Sequence, residues 1–134
     1  MLFRSWSPLF DYLQPELTLI EFSNDTVGYD ASRFNTALTT ACSTLSVYSD
    51  LIAYGFPDQS RLTGGADIAN VRNATIAKVL EYQGVAINMA ERWISTANAI
   101  TLGFMPGTPF PIHPTELGDK DIASAIGRLL RGYA

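Results

Sequence analysis

The side chains most able to do acid–base or nucleophilic chemistry are few and widely spaced. The one histidine, His113, lies between Ile112 and Pro114, and the one cysteine is Cys42. In nucleophilic catalysis an acid orients the histidine, and the histidine takes a proton from a nucleophile. The chain has no GxSxG motif to supply that nucleophile. Small and apolar neighbours favour a buried, inert thiol at Cys42. We therefore expect neither residue to be catalytic.

Carboxylates offer two further possibilities, a metal site and an acid–base pair. Glu116, Asp119 and Asp121 cluster near the C-terminus, but they lack the glycine and terminal-glutamate spacing of a calcium loop. At a helix start, such residues are explained by capping and by the helix dipole. Glu81 and Glu91 lie roughly 15 Å apart if they share a helix, too far to act together. Zinc needs more Cys and His ligands than this chain has. We expect no metal, no cofactor and no enzymatic activity.

Composition and charge exclude further classes of function. Gly64 and Gly65 form a pair typical of phosphate-binding turns, but no complete phosphate-binding motif accompanies them. A net charge of −4 disfavours sequence-specific or general nucleic-acid binding. No window approaches the ~18 apolar residues that span a membrane. Arg4, Pro8 and Asp11 interrupt the hydrophobic N-terminus, unlike a signal peptide. We expect a location in a virion or the cytoplasm.

The elements that position these residues are predicted to form one mainly α domain over residues 1–134. Its predicted parts are a long central helix, two shorter helices, an extended N-terminal arm and a proline-rich segment. The arm covers residues 1–29, and its apolar run Leu17–Phe22 is typical of a strand. Because isolated strands are marginal, this run must lie on the helices or pair with another chain. The sequence leaves both possibilities open.

Apolar residues at three- and four-residue spacing predict a first helix that opens the helical core, residues 30–101. Asp30 or Ser32 is predicted as its N-cap. The apolar stripe continues to Ile52, and the segment Tyr54–Pro57 is predicted to close the helix with a glycine and a proline.

A second helix is predicted from Asp67 to about Thr101, with Gly84 as its one interior glycine. Its apolar stripe is wider than one partner helix can cover, which favours a second, intermolecular face. Its length exceeds that of an average helix several-fold, which favours a kink or break near Gly84.

Residues 102–114 contain four of the seven prolines and are predicted to be extended. Such a segment carries the chain to another face or another subunit, where its aromatic and aliphatic side chains would anchor it. A last helix is predicted over residues 115–134, capped by Asp119 or Asp121.

These features favour a structural subunit of a homo-oligomeric complex, most consistent with a virus or phage particle component such as a capsid, neck or tail protein. Charged residues make up 16% of the chain against about 25% in typical domains, and interface cores are depleted in charge. The expected partners are copies of the chain itself and other assembly proteins. The predicted interface residues are Leu2, Phe3, Trp6, Phe10, Ile87, Ile94, Phe104, Met105, Phe110 and Ile112.

Two alternatives remain open from the sequence. One is a regulatory or inhibitory module that binds a partner protein through an apolar helix face. The other is a small-ligand or enzymatic domain whose residues follow no recognisable motif.

Overall fold

Three parallel strands form the centre of the domain. The computed structural model describes residues 12–22, 29–55, 65–107 and 113–132. The strands are β1 (Leu17–Ile20), β2 (Asp50–Gly55) and β3 (Val85–Asn88). Their order in the sheet is β1-β2-β3, and both pairings are parallel, with Leu19 opposite Ile52 and Ala53 opposite Ala86. The described part of the chain is therefore a small α/β domain.

Two helices connect the strands and cover one face of the sheet. In the described residues the helices are α1 (Ala31–Leu45), α2 (Gly65–Glu81), α3 (Met89–Trp93), α4 (Thr96–Thr101) and α5 (Glu116–Gly132). Leu38 and Leu45 of α1 pack with Val79 of α2 against Leu51 and Ala53 of the sheet. Parallel strands need such crossover connections, and the helices pack on the face where alternate strand side chains point.

The second face of the sheet is covered by the C-terminal part of the chain. Tyr54 and Ile87 pack against a cluster that includes the fully buried Trp93 of α3 and Ile122 of α5. Near the C-terminal end of α5, Leu129 lines the same groove as Ile52 and Val85. α5 therefore runs across this face from the carboxyl ends of the strands toward their amino ends.

The mainly α prediction is correct in part, since two short apolar runs assigned to helices are strands. The first helix ends at Leu45, and the run that includes Ile52 is the central strand β2. The second predicted helix is broken near Gly84, as its length indicated, and it continues as β3 and two short helices. Runs of four to six apolar residues fit a helical stripe and a buried strand equally well.

A Schellman motif ends α2. The N–H of Gly84 donates to the Val79 carbonyl at 2.9 Å, and the N–H of Gln83 donates to the Leu80 carbonyl at 3.0 Å. Gln83 occupies the left-handed position with φ 61°, where glycine is the usual residue. Gly84 follows it for another reason: a Cβ atom there would lie 2.6 Å from both the Leu51 carbonyl oxygen and Val79 Cγ1. The glycine lets the chain pass directly against β2.

Other predictions are confirmed or corrected at the helix ends and in the arm. The run Leu17–Phe22 does contain a strand, and β1 pairs within the chain, with β2. Asp30 caps α1 by accepting from the N–H of Arg33 at 2.9 Å. The last helix is confirmed, but its N-cap is Thr115, whose Oγ1 accepts from the N–H of Gly118 at 3.2 Å. Asp119 and Asp121 were wrongly predicted as caps, because both lie inside the helix, Asp119 in its first turn and Asp121 beyond it.

One polar cluster fastens α5 to α3. Both carboxylate oxygens of Asp121 accept from the Arg92 guanidinium, at 2.6 and 2.7 Å, and the indole N–H of Trp93 donates to the same carboxylate at 2.9 Å. The bidentate bond with Arg92 is the main reason that the pKa of Asp121 is lowered, and the indole bond lowers it further. Charge-assisted bonds of this kind fix geometry as well as adding energy.

We expect Asp121→Asn to lower the free energy of unfolding at pH 7 by about 1–2 kcal/mol, because it weakens bonds to a charged partner. The low end is favoured because the Arg92 side chain is 35% exposed. The folded-state pKa of Asp121 lies below its ordinary value of 3.8, so this stability is present above that pH and is lost as the pH falls through the lower value. Urea unfolding of both proteins from pH 7 to pH 2.5 tests this.

The matched control is Glu116→Gln. Glu116 forms a similar ion pair with Lys120, but both side chains are more than two thirds exposed, so its loss should change the free energy of unfolding by under about 0.5 kcal/mol. Equal effects of the two variants would contradict the assigned role of Asp121.

Gly84→Ala should destabilise the fold by about 1–3 kcal/mol, because the added methyl group forces β2 and α2 apart. Gly127, inside α5, provides the opposite control, since a Cβ atom there meets nothing within 4 Å. Gly127→Ala should raise stability by up to about 1 kcal/mol through helix propensity. Thermal and urea unfolding of both variants gives the sign of each change in the free energy of unfolding. An unchanged stability of Gly84→Ala would refute the close approach of Gly84 to β2.

Candidate functional site

A cleft of about 340 Å³ opens at the carboxyl ends of β1 and β2. Glu21 directly follows β1, and Tyr54 lies near the end of β2. The opposite wall is the start of α5 and the two residues before its cap. The described lining residues are Glu21, Tyr54, His113, Pro114, Asp119, Ile122, Ala123 and Ile126.

Two carboxylates set the electrostatic character of the cleft. Burial is the main cause of the raised pKa of Tyr54, and the negative charges of Glu21 and Asp119 raise it further. The phenol therefore stays protonated at neutral pH, and its hydroxyl lies in the field of both acids. Among the described lining residues, two are acidic and none is lysine or arginine.

The floor of the cleft is apolar and comes from α5. Ile122 is 8% exposed and belongs to the core cluster around Trp93, and Ile126 packs beside it. A polar rim on an apolar floor is the usual construction of a small-molecule site. The carboxyl ends of parallel strands are also where open α/β sheets bind ligands.

The structure separates the titratable residues that the sequence analysis considered. His113 and Asp119 meet at the cleft, whereas Asp121 binds Arg92. The remaining acids have local partners: Glu116 pairs with Lys120, Glu81 pairs with Lys78 and Glu91 accepts from Asn88. In the described residues, no three Cys, His, Asp or Glu side chains are grouped as a metal site requires.

Glu21 and Tyr54 are the site residues that sequence reasoning missed. Glu21 lies in the predicted strand run and Tyr54 was assigned to a helix end. Their signal is positional, because each stands at the carboxyl end of a strand in a parallel sheet. That signal becomes visible once both strands are known.

The outer edge of β1 is a second candidate site. The N–H of Asp50 in β2 donates to the Glu16 carbonyl at 3.0 Å. Backbone groups alternate sides along a strand, so Thr18 and Ile20 also face β2. The N–H and C=O groups of Leu17 and Leu19 therefore point away from the sheet. In the described ranges, no strand lies beyond β1.

The side chains at this edge are apolar and accessible. Leu17 is 38% exposed and Leu19 49%. Leu17 also borders a groove of about 180 Å³ at the amino ends of the strands, where Leu129 and Leu130 of α5 lie opposite Val85. Between Leu17 and Ile20 there is no charge and no proline, the two devices that commonly protect a strand edge.

The predicted interface residues occupy different environments. Met105 is 2% exposed, and the half-buried Ile87 packs against the same core cluster. Phe104 is half-buried, with its ring centroid 5.5 Å from that of Trp93. Ile94 is 78% exposed and has φ 69° between α3 and α4. The others, Leu2, Phe3, Trp6, Phe10, Phe110 and Ile112, lie outside the described residues.

Cys42 lies in the core between α1 and the sheet. It is fully buried, and this burial raises its pKa to about 11. The thiolate is the nucleophilic form of cysteine, and a raised pKa makes it scarce at neutral pH.

Comparison with protein-family models, with curated proteins and with solved structures finds no match. No helix in the described ranges has the length and apolar character needed to cross a membrane. The functional argument accordingly depends on the fold and on the geometry of the cleft and the β1 edge.

We expect native Cys42 to resist thiol reagents at pH 8. The shift from the ordinary value of 9.0 to about 11 lowers its thiolate fraction about a hundredfold, and burial blocks access as well. Reaction with Ellman's reagent should be at least about a hundredfold slower in the native protein than in 6 M guanidinium chloride. Rapid labelling of native, fully folded protein would contradict the buried placement.

Proposed function

We propose that the chain is a structural subunit that assembles with copies of itself through the outer edge of β1. The observation that carries the proposal is an apolar strand edge with outward backbone groups at Leu17 and Leu19 and half-exposed leucine side chains. A strand edge of this kind is a template for another strand, and a second copy supplies the same edge.

The edge is self-complementary in an antiparallel arrangement. A two-fold axis at Thr18 places Leu17 of one copy opposite Leu19 of the other. Both residues point their backbone groups outward, so each such pair exchanges two hydrogen bonds. Thr18, which faces β2, sits on the axis where no bond between copies is needed. The two sheets then join into one sheet of six strands.

Side chains and charges fit the same register. Leu17 and Leu19 project to the same face of the sheet because they are two residues apart. Across the axis, the four leucines of the two copies form one apolar group. Glu16 of one copy then lies opposite Ile20 of the other, so no glutamate stands directly opposite a glutamate. An isologous contact of this type closes a dimer, and further contacts between dimers would build a larger assembly.

The narrower expectation of a virus or phage particle component stays a prediction, as does the absence of enzymatic activity. The same edge also fits the alternative of a regulatory module, in which a strand of another protein would add to β1. Self-association distinguishes the two functions.

Light scattering coupled to size exclusion tests the proposal with the full chain. We expect the wild type to be a dimer or larger at micromolar concentration. Leu17→Lys/Leu19→Lys should raise the dissociation constant at least about tenfold, because it replaces apolar contacts by like charges across the axis. Leu80→Lys is the control: Leu80 is 53% exposed on α2, away from β1.

Amide hydrogen exchange gives an independent readout of the interface. The amides of Thr18 and Ile20 face β2 and should be protected at every concentration. Those of Leu17 and Leu19 should gain protection as the concentration rises, because they bond to the second copy. A wild-type monomer at micromolar concentration, or oligomers unaffected by the double substitution, would refute the β1 interface.

A further inference from the structure

We propose that the cleft at the carboxyl ends of β1 and β2 binds a small organic cation, a primary amine attached to an apolar body. The charge of the cleft comes from Glu21 and Asp119 on opposite walls, and its apolar floor comes from Ile122 and Ile126. This site is separate from the β1 edge and does not depend on self-association.

The shape and place of the cleft fit a small ligand. Its volume of about 340 Å³ lies at the lower end of the 300–1,000 Å³ range of ligand sites. The walls come from three separate parts of the fold: the end of β1, the end of β2 and the start of α5. Convergence of separate elements on one apolar floor is typical of a binding site.

The sign of the ligand charge follows from the lining. Both acids come from different elements, and both act on the Tyr54 hydroxyl, as the raised pKa of that phenol indicates. An anion would meet two carboxylates, and among the described lining residues His113 is the one basic side chain. Arg92, the cation on neighbouring α3, is held by Asp121 on another side of α5. The cleft therefore favours a positive group.

Five of the lining residues have a defined part in binding. Asp119, in the first turns of α5, makes no ion pair with any described side chain and accepts hydrogen bonds from the ammonium. Glu21 supplies the second charge from the opposite wall. The Tyr54 ring adds a surface on which a cation is attracted. Ile122 and Ile126 cover the apolar body of the ligand. The ligand therefore needs an apolar group as well as a positive charge.

Three isosteric probes separate charge from shape. Phenethylamine, 2-phenylethanol and phenylacetate share the ring and the chain length but are cationic, neutral and anionic at pH 7. Titrated into the full chain and followed by ¹H–¹⁵N NMR, phenethylamine should bind saturably with shifts centred on Glu21, Tyr54 and Asp119. We expect the alcohol to bind at least about tenfold more weakly, the loss expected when a bond to a charged group is removed.

Substitutions locate the site. Glu21→Gln and Asp119→Asn should each weaken phenethylamine binding about tenfold, and Ile126→Ala should weaken phenethylamine and 2-phenylethanol by the same factor. Glu116→Gln is the matched control, since it removes a carboxylate from the same helix outside the cleft. Circular dichroism verifies the fold of each variant. Equal affinity for amine and alcohol, or full binding by folded Glu21→Gln/Asp119→Asn, would overturn the proposal.

Discussion

The central strand β2 is buried on both faces, with Leu51, Ile52 and Ala53 each at most 2% exposed. A strand in this position needs an apolar layer above and below it, as well as a hydrogen-bonded neighbour on each side. β1 and β3 provide the neighbours, and α1 and α2 provide the first layer. The second layer is made by α3 to α5, which pack on β2 through the buried apolar cluster around Trp93 and are tied together by the Asp121–Arg92 pair.

The sequence predicted the elements whose local signals agree with their final environment. α1 has a capping aspartate and an apolar stripe that packs on one surface, and α5 has a similar stripe, although its cap is Thr115. It did not predict β2 or β3, because each is a short apolar run beside a helix and continues that helix's spacing. The break at Gly84 was visible as a glycine, yet its cause was not. Contact with the Leu51 carbonyl depends on β2 being there.

The cleft was harder to predict than the fold because its residues gain meaning only when they meet. Glu21, Tyr54 and Asp119 are far apart in the chain, and each has an ordinary local explanation. His113 was considered as a base and rejected because no nucleophile motif accompanies it, and the structure brings it to the same cleft as two acids. The order of the helices along the chain could not predict that these residues meet, since their meeting depends on α5 crossing the second face of the sheet.

Both proposed surfaces use the same face of β1. Leu17, Leu19 and Glu21 project to one side because they alternate with residues that face α1. The side chains that α5 presents to this face change along the same direction: Leu129 and Leu130 line the apolar groove, and Asp119 lines the acidic cleft. An antiparallel dimer places the carboxyl ends of the two β1 strands at opposite ends of the joined sheet. The two clefts therefore lie on opposite sides of the axis, each beside the amino end of the other copy's β1.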